Sequence, residues 1–479
     1  MILLALLACA PSDAPAPDRT RGDGTVTTPD TDTDTDADTD ADADTDTDTD
    51  ADTDTDSDTE PPGPAEVYWG DLHAHSGLSG DGCEDPTRQC APRNPLPGQD
   101  FFLNAADVGL DFAAITDHAE YDGWTSLESG ATLDIWSETL ALVDAALPGP
   151  TIPLVGYEWT ASSNDKGERT GAHRTVVLED PAPCTAWRVP GAVVSDHKAD
   201  FGHEVFTPGV GAPVRGAKAL SAALAAAPTE PGCADTRWIA FLHHTALEPP
   251  VAVDWADTDL LLADEVLIEI SSEHGSSECA DTKAPGCDYD MNAEHFVADG
   301  SVQNGLAAGV RFGFTGGTDS HDGRPGSVQD GPSHSATFYA ADGDGVVDDP
   351  RQQYADGTLT AVLLPEGSPL DRGSLFDALE ARHTLVSTHR FTTLSLTVTG
   401  ADGSRWLPGD VIPEAAGPLD VVIDADGLAL DGVIIDAYGA TETFTGTVEV
   451  GPAEARYLRF DVVVDGATER IWLSPFFGG

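Results

Sequence analysis

Two histidines one residue apart, in Trp69-Gly70-Asp71-Leu72-His73-Ala74-His75, are the first of five short segments rich in metal-ligand residue types. The others are Thr116-Asp117-His118, Gly156-Tyr157-Glu158, His243-His244 and Gly317-Thr318-Asp319-Ser320-His321. Neutral imidazoles and carboxylates suit Zn, Mn or Fe, and no cysteine thiolate falls in these segments. Two or three such ions would lower the pKa of a bridging water towards about 7, giving hydroxide without a strong protein base. The chemistry suggested is hydrolysis at a multi-metal site. Taken singly, each residue has a plainer reading. A lone His is more often a hydrogen-bonded structural residue, Glu158 could start a helix, and Asp319 could form a turn after Gly316-Gly317.

Elements that would position these groups are visible around them. Asp111 to Thr116 is a short apolar run ending in Thr-Asp-His, preceded by a stretch of helical spacing from Gln99 to Gly109. Similar runs precede the other segments: Ile152 to Val155, Trp238 to Leu242, Glu265 to Ile270 and Phe312 to Thr315. Continuous apolar runs of this length read as buried parallel strands. The polar residues follow at the carboxyl ends, where α/β folds gather their active-site residues.

The chain has 479 residues, enough for one large domain and a smaller one, and a formal charge of −61. Many of its acidic residues lie before Val67, where basic residues are almost absent. Such a surface argues against nucleic-acid binding, which Lys and Arg lead. Residues 1–9 read as a lipoprotein-type signal: they are nearly all apolar, too few to span a bilayer, and Leu6-Leu7-Ala8-Cys9 resembles a bacterial lipobox. An ordinary signal peptide with an incidental Cys9 is the alternative. Residues 10–65 read as an extended, disordered tether, with a Thr-Asp alternation from Thr31 to Asp56 that can bury no apolar surface. The repeat lacks the Gly turn and closing Glu of a calcium loop. Asp342-Gly343-Asp344-Gly345 is better read as a turn than as part of such a loop.

Six further cysteines in an exported chain favour disulfides. Of the 15 connectivities open to them, the expected one joins Cys83 with Cys90, Cys279 with Cys287, and Cys184 with Cys233. A structural zinc site is the rival, although no C-x-x-C pair occurs. After a helix at Leu375 to Arg382 and a strand at Thr384 to Thr388 the pattern becomes β throughout. Thr393 to Val398, Leu419 to Ile423, Gly432 to Ile435, Phe444 to Val450 and Leu458 to Val464 suggest a small antiparallel sandwich over residues 391–479.

The motifs Gly-Asp-Leu-His-Ala-His, Ala-Ile-Thr-Asp-His, Gly-Tyr-Glu-Trp and Gly-Thr-Asp-Ser-His resemble, in order, those of the PHP (polymerase and histidinol phosphatase) metallohydrolase superfamily. Asp81 and Ser272-Glu273-His274-Gly275 are similar to features of its DUF3604 or CehA/McbA-like branch. The likeness covers about Tyr68 to Ser387 and continues weakly to the end. It implies an α/β fold, a distorted (β/α)7 PHP barrel over residues 66–390, with the small C-terminal antiparallel β domain beyond. The resemblance also implies two or three divalent metal ions (Zn, Mn or Fe). His73 and His75 would reach one ion, Asp81 and His118 a second, with Glu158 bridging. His173 and His244 would serve a third, and Asp319 and His321 would close the set. His244 is taken over His243 because it stands before the family's usual proline, here Thr245. His274 is a candidate proton donor or oxyanion contact, Arg174 a candidate partner for an anionic substrate, and Asp117 a candidate for orienting His118. The expected function is an exported, lipid-anchored phosphoesterase acting on a small molecule, touching a membrane only through its anchor. An ester, amide or carbamate hydrolase and a non-catalytic envelope binding protein are the alternatives. Metal identity, oligomeric state and substrate stay open.

Overall fold

A computed structural model describes residues 64–79, 100–126, 130, 132–160, 173–191, 204–208, 216–247, 252–256, 265–281, 287, 296–321, 323–326 and 357–479. The expected signal, the tether up to residue 63, Asp81, the Cys83/Cys90 pair and the Asp342 turn lie outside these residues, while Ala65, expected as the tether's end, already bridges to Leu396. Thr59–Gly479 forms one compact unit.

The principal strands are β1 (Glu66–Asp71), β2 (Phe112–Ile115), β3 (Ile152–Thr160), β4 (His173–Leu178), β5 (Trp238–Leu242), β6 (Leu267–Ser272) and β7 (Gly313–Gly316). After them come β8 (Leu359–Leu364), β9 (Thr384–Ser387), β10 (Leu394–Gly400), β11 (Leu419–Ala425), β12 (Leu430–Asp436), β13 (Ala455–Val464) and β14 (Ala467–Leu473). One 16-stranded sheet contains the path β6-β5-β4-β3-β2-β1-β8-β9-β14-β13-β12, and β7 adds to the far side of β6. The pairs β1/β2, β2/β3, β5/β6 and β6/β7 are parallel. Between β3 and β5 the pattern breaks, because β4 pairs antiparallel with both.

The fold is therefore mixed α/β and rich in sheet, and regular seven-fold β/α alternation is not seen among the described residues. The described helices are short: α1 (Phe101–Asp107), α2 (Ile135–Ala145), α3 (Ala217–Ala226), α4 (Val302–Ala307) and α5 (Arg372–Glu380). Three start on side-chain caps, the one ahead of α4 being Ser301 Oγ, which accepts from Asn304 N at 3.3 Å. Asp134 accepts from Ser137 N at 2.7 Å, and Asp371 and Ser374 form a reciprocal capping box. No described helix is long and apolar enough to cross a membrane.

Period-two alternation explains why the central strands are apolar throughout. In β2, Ala113 and Ile115 join a core cluster with Trp69, Tyr157 and Trp159. Phe112 and Ala114 point the other way, into a cluster with Leu154, Phe241 and the α5 residues Leu375, Phe376 and Leu379. Both faces are covered, so no polar alternation remains to be seen. At the other end of the path, β7 meets β8 and β9 through hydroxyls instead of a ladder. Gly316 N donates to Thr360 Oγ1 at 2.9 Å, and Thr384 Oγ1 donates to Phe314 O at 2.7 Å.

The C-terminal strands fall in two layers. A four-stranded sheet is centred on β10 and β11, while β12, β13 and β14 continue the principal sheet. Leu396, Val398, Val421, Leu458 and Phe460 meet in one cluster between them. Cys184 is joined to Cys233 and Cys279 to Cys287, two of the three expected pairs.

One buried polar node ties β13 and β14 to the segment after β6. Glu278 accepts from Tyr457 Oη at 2.8 Å, Arg459 Nη1 at 2.9 Å and Trp472 Nε1 at 2.9 Å. Removing one member of a buried ion pair leaves the other charge poorly compensated. Glu278→Ala is expected to destabilise the chain by about 3–5 kcal/mol, read as a lower urea midpoint. Glu278→Gln, which keeps volume and one acceptor, should cost clearly less.

Candidate metal centre

The parallel strands β1, β2 and β3 end at one rim, and their ends stay in register just beyond the ladder. Thr116 N donates to Ala74 O at 3.0 Å, Glu158 N to Thr116 O at 3.0 Å, and Ala119 N to Glu158 O at 2.8 Å. This spacing brings His73, His75, His118 and Glu158 together. His173 reaches the same rim from the first residue of β4, which runs the opposite way and pairs with Thr160. His243 and His244 directly follow β5, and Asp319 lies three residues beyond β7.

The Asp319 loop comes in very close. Asp319 N donates to His73 O at 2.7 Å and His75 N to Ser320 O at 2.8 Å. A Cβ on Gly317 would lie 2.4 Å from His73 Cβ, so only glycine allows this approach. Asp71 holds both loops, accepting from His73 N at 3.1 Å, Thr318 N at 3.2 Å and Gly326 N at 2.9 Å. Burial pushes its carboxyl up to about 6 despite those donors. Asp319 and His244 both have positive φ, 53° and 32°, a conformation unusual for non-glycine residues. Backbone strain therefore falls on two of the residues that face the cluster.

Overlapping sets of side chains bring ligand atoms within 4.8 Å of one another: His73, His75, Glu158 and Asp319; Glu158, His173 and His244; and His75, His118 and His321. Glu158 belongs to two sets and His75 to two. Separations are those of ligands about a common centre. His75 Nε2 lies 3.3 Å from Glu158 Oε2 and 3.1 Å from Asp319 Oδ1. His73 Nε2 is 3.5 Å from Glu158 Oε2 and 3.3 Å from Asp319 Oδ1, yet makes a hydrogen bond to neither. His244 Nδ1 is also buried without a hydrogen bond. Orphaned imidazole nitrogens facing carboxylates fit divalent ions held by N and O donors.

The electrostatics have the same origin. Burial works against ionisation of His73, but Asp319 and Glu269 outweigh it and hold the imidazole well above its ordinary pKa. Burial likewise pushes Glu158 and Asp319 up. Neighbouring imidazoles reverse this and hold both well below the usual carboxylate range. His244 is pushed well below its ordinary value, first by burial and then by His243, His274 and His173.

The remaining expected residues are placed as follows. His274 Nε2 lies 3.1 Å from Asp319 Oδ2 and the ring is 23 % exposed. His321 stacks on His75 with centroids 4.2 Å apart. Asp117 accepts from Ser76 N and Ser76 Oγ, both at 2.6 Å, so it braces the turn after His75. Arg174 is fully buried with its Nε donating to Glu265 at 2.8 Å, and it does not join the cluster. Strand alternation sends it to the face opposite His173.

Two participants, Glu269 and Glu120, lie outside the motifs, and a third, His243, stood in its motif as the alternative to His244. Glu269, within β6, accepts from His73 Nδ1 at 2.8 Å and closely meets His243 Nδ1. His243 then presents Nε2 to Asp319 Oδ2 at 3.2 Å, so carboxylates occupy both its nitrogens. Glu120 lies beside His118, with Oε2 3.5 Å from its Nδ1. The available signal was a charged residue inside an apolar strand, Leu267-Ile268-Glu269-Ile270, where burial demands a partner.

No family model matches the chain, and no curated protein matches it. Two solved structures resemble it. One is a two-domain protein from Bacteroides vulgatus described as containing a predicted PHP-like metal-dependent phosphoesterase. It is 13 % identical, with 86 % of this chain and 95 % of that chain covered and a TM-score of 0.34. The other is PsfC from Pseudomonas syringae, 14 % identical, with coverages of 66 % and 90 % and a TM-score of 0.29. The functional reading accordingly rests on the side chains.

Burial disfavours the charged forms of His73 and His243, but the carboxylates around them outweigh it and raise both imidazoles above the ordinary pKa, so in the metal-free protein they keep protons to higher pH than a free imidazole does. Metal uptake must displace those protons. Titration with Zn in buffers of different ionisation enthalpy is expected to show net proton release at pH 7. Apparent affinity should keep rising well past the ordinary imidazole pKa of about 6.5, over the range where unperturbed imidazoles have already lost their protons. Binding without proton release would place the metal elsewhere.

Proposed function

We propose that the chain is a metal-dependent hydrolase of the PHP type, acting on phosphoesters of small molecules. The observation that carries this is the position of Glu158. Its Oε2 faces His73, His75 and His118, while its Oε1 closely meets His173. A carboxylate shared between two imidazole groups is placed as a bridging ligand would be. In this reading β1, β2, β3, β5, β6 and β7 are strands of a distorted PHP barrel, with β4 running antiparallel among them.

Divalent ions bound at these sets would supply Lewis acidity and a water of lowered pKa. His73, His75, Glu158, Asp319, His173, His244, His118 and His321 would hold them. Glu269 fixes the His73 and His243 rings, which sets which nitrogen of each faces inward. His274 stands between Asp319 and solvent, where an imidazolium can give a proton to a departing oxygen. His173, His274 and His321 are 11 %, 23 % and 25 % exposed, and every other member of the cluster is nearly fully buried. Three imidazoles at the opening suit a multiply charged anion, which favours a phosphoester over a neutral ester. The two disulfides support a compartment outside the reducing cytosol, in keeping with export and an N-terminal lipid anchor.

Purified protein loaded with Mn or Zn is expected to hydrolyse p-nitrophenyl phosphate and not p-nitrophenyl acetate. His73→Ala should lose metal and activity together. His274→Asn should keep its metal but lose about 10²-fold or more in kcat. Cleavage of the acetate alone would turn the reading to an esterase. Cleavage of neither, with no bound metal, would overturn the enzyme.

A further inference from the structure

We infer that Glu120 is a metal ligand, sharing with His118 and Glu158 one ion on the His118 side of the centre. This rests on the metallohydrolase reading above but adds a donor that its motifs do not contain. Glu120 follows His118 by two residues, in the turn that leads into the strand Tyr121–Ser126. It is 1 % exposed. One carboxylate oxygen, Oε1, accepts a close hydrogen bond from Thr160 Oγ1. The other, Oε2, is buried with no hydrogen bond.

Leaving a buried carboxylate oxygen unsatisfied is costly, and buried carboxylates are normally paired with cations or coordinate metals. No Lys or Arg among the described residues forms an ion pair with Glu120. Its near neighbour is His118 Nδ1, 3.5 Å from Oε2, and Glu158 Oε2 is 3.5 Å from that same nitrogen. Two atoms bound to one tetrahedral ion at about 2.1 Å lie about 3.4 Å apart. The spacing is long for a hydrogen bond and right for a pair of ligands.

Strand geometry explains how Glu120 is aimed. Glu158 and Thr160 lie two residues apart on β3 and so share a face. Glu158 faces the centre, and Thr160 beside it holds Glu120 by one oxygen, turning the other inward. Thr160 is thus a positioning residue.

The test uses the full chain and metal alone. Apoprotein is loaded with Zn or Mn, dialysed, and its metal counted per chain, and unfolding is followed with and without metal. Glu120→Gln keeps the shape and the Thr160 contact. It should lose one metal equivalent or bind it at least 10-fold more weakly, and show a smaller metal-induced rise in Tm. In EDTA its Tm should equal or exceed that of wild type. Thr160→Val should weaken the same equivalent by about 10-fold or more. Unchanged metal content and affinity in Glu120→Gln, with wild type loaded, would overturn the assignment and leave the metallohydrolase standing. So would a lower Tm in EDTA with the full metal-induced rise, which marks a purely structural role. A wild type that binds no metal would overturn both.

Discussion

Burying several carboxylates together is unfavourable unless positive charge lies among them, and the centre of this molecule is organised around that requirement. Glu158, Asp319 and Glu269 are each 1–2 % exposed, and the groups set against them are imidazoles. Among the described residues, His73 alone lies against all three carboxylates. Imidazole suits this task because it can be a cation when the ions are absent and a neutral ligand when they are present. Lysine or arginine would compensate the charge permanently and leave no room for metal.

Much of the site could be read from the chain because strand ends and ligand motifs coincide. His73, His75, His118, Glu158, His173, His244, Asp319 and His321 come from segments whose types and order carry the chemistry, and the structure gathers them. Glu269 and Glu120 lie outside the motifs, and His243 was read only as the alternative to His244, because the contacts that define their roles are not visible in the chain. Glu269 looks like an interruption in a strand until His73, 196 residues earlier, is placed against it. Arg174 shows the opposite case. Its position next to His173 suggested the site, but alternation along β4 puts it with Glu265. The β/α alternation was legible only in part. β4 opens with His-Arg-Thr and was not among the apolar runs read as strands, and composition does not reveal the direction in which a buried strand runs.

Geometry at the rim is held by backbone as much as by side chains. The Asp319 loop is fixed by Gly317 against His73, by Asp71 from below, and by a left-handed backbone at Asp319 itself. Such a loop is over-determined, which is what an unusual conformation needs in order to persist. The side-chain hydroxyls of Thr360 and Thr384 do similar work where β7 meets β8 and β9. They satisfy polar backbone groups without adding a ladder that would fix the spacing of the strands.

The Glu278 node also bears on the order of events when the chain is made. Glu278 lies four residues after His274, yet its partner Trp472 is 194 residues further on. Closing a contact across so long a stretch of chain carries an entropic cost that local contacts do not. The contacts that anchor the segment after His274 therefore exist only when the last strands are in place. In synthesis from the N-terminus every residue of the candidate cluster, up to His321, is made before Trp472, so the last strand arrives to brace a cluster whose side chains are already all present.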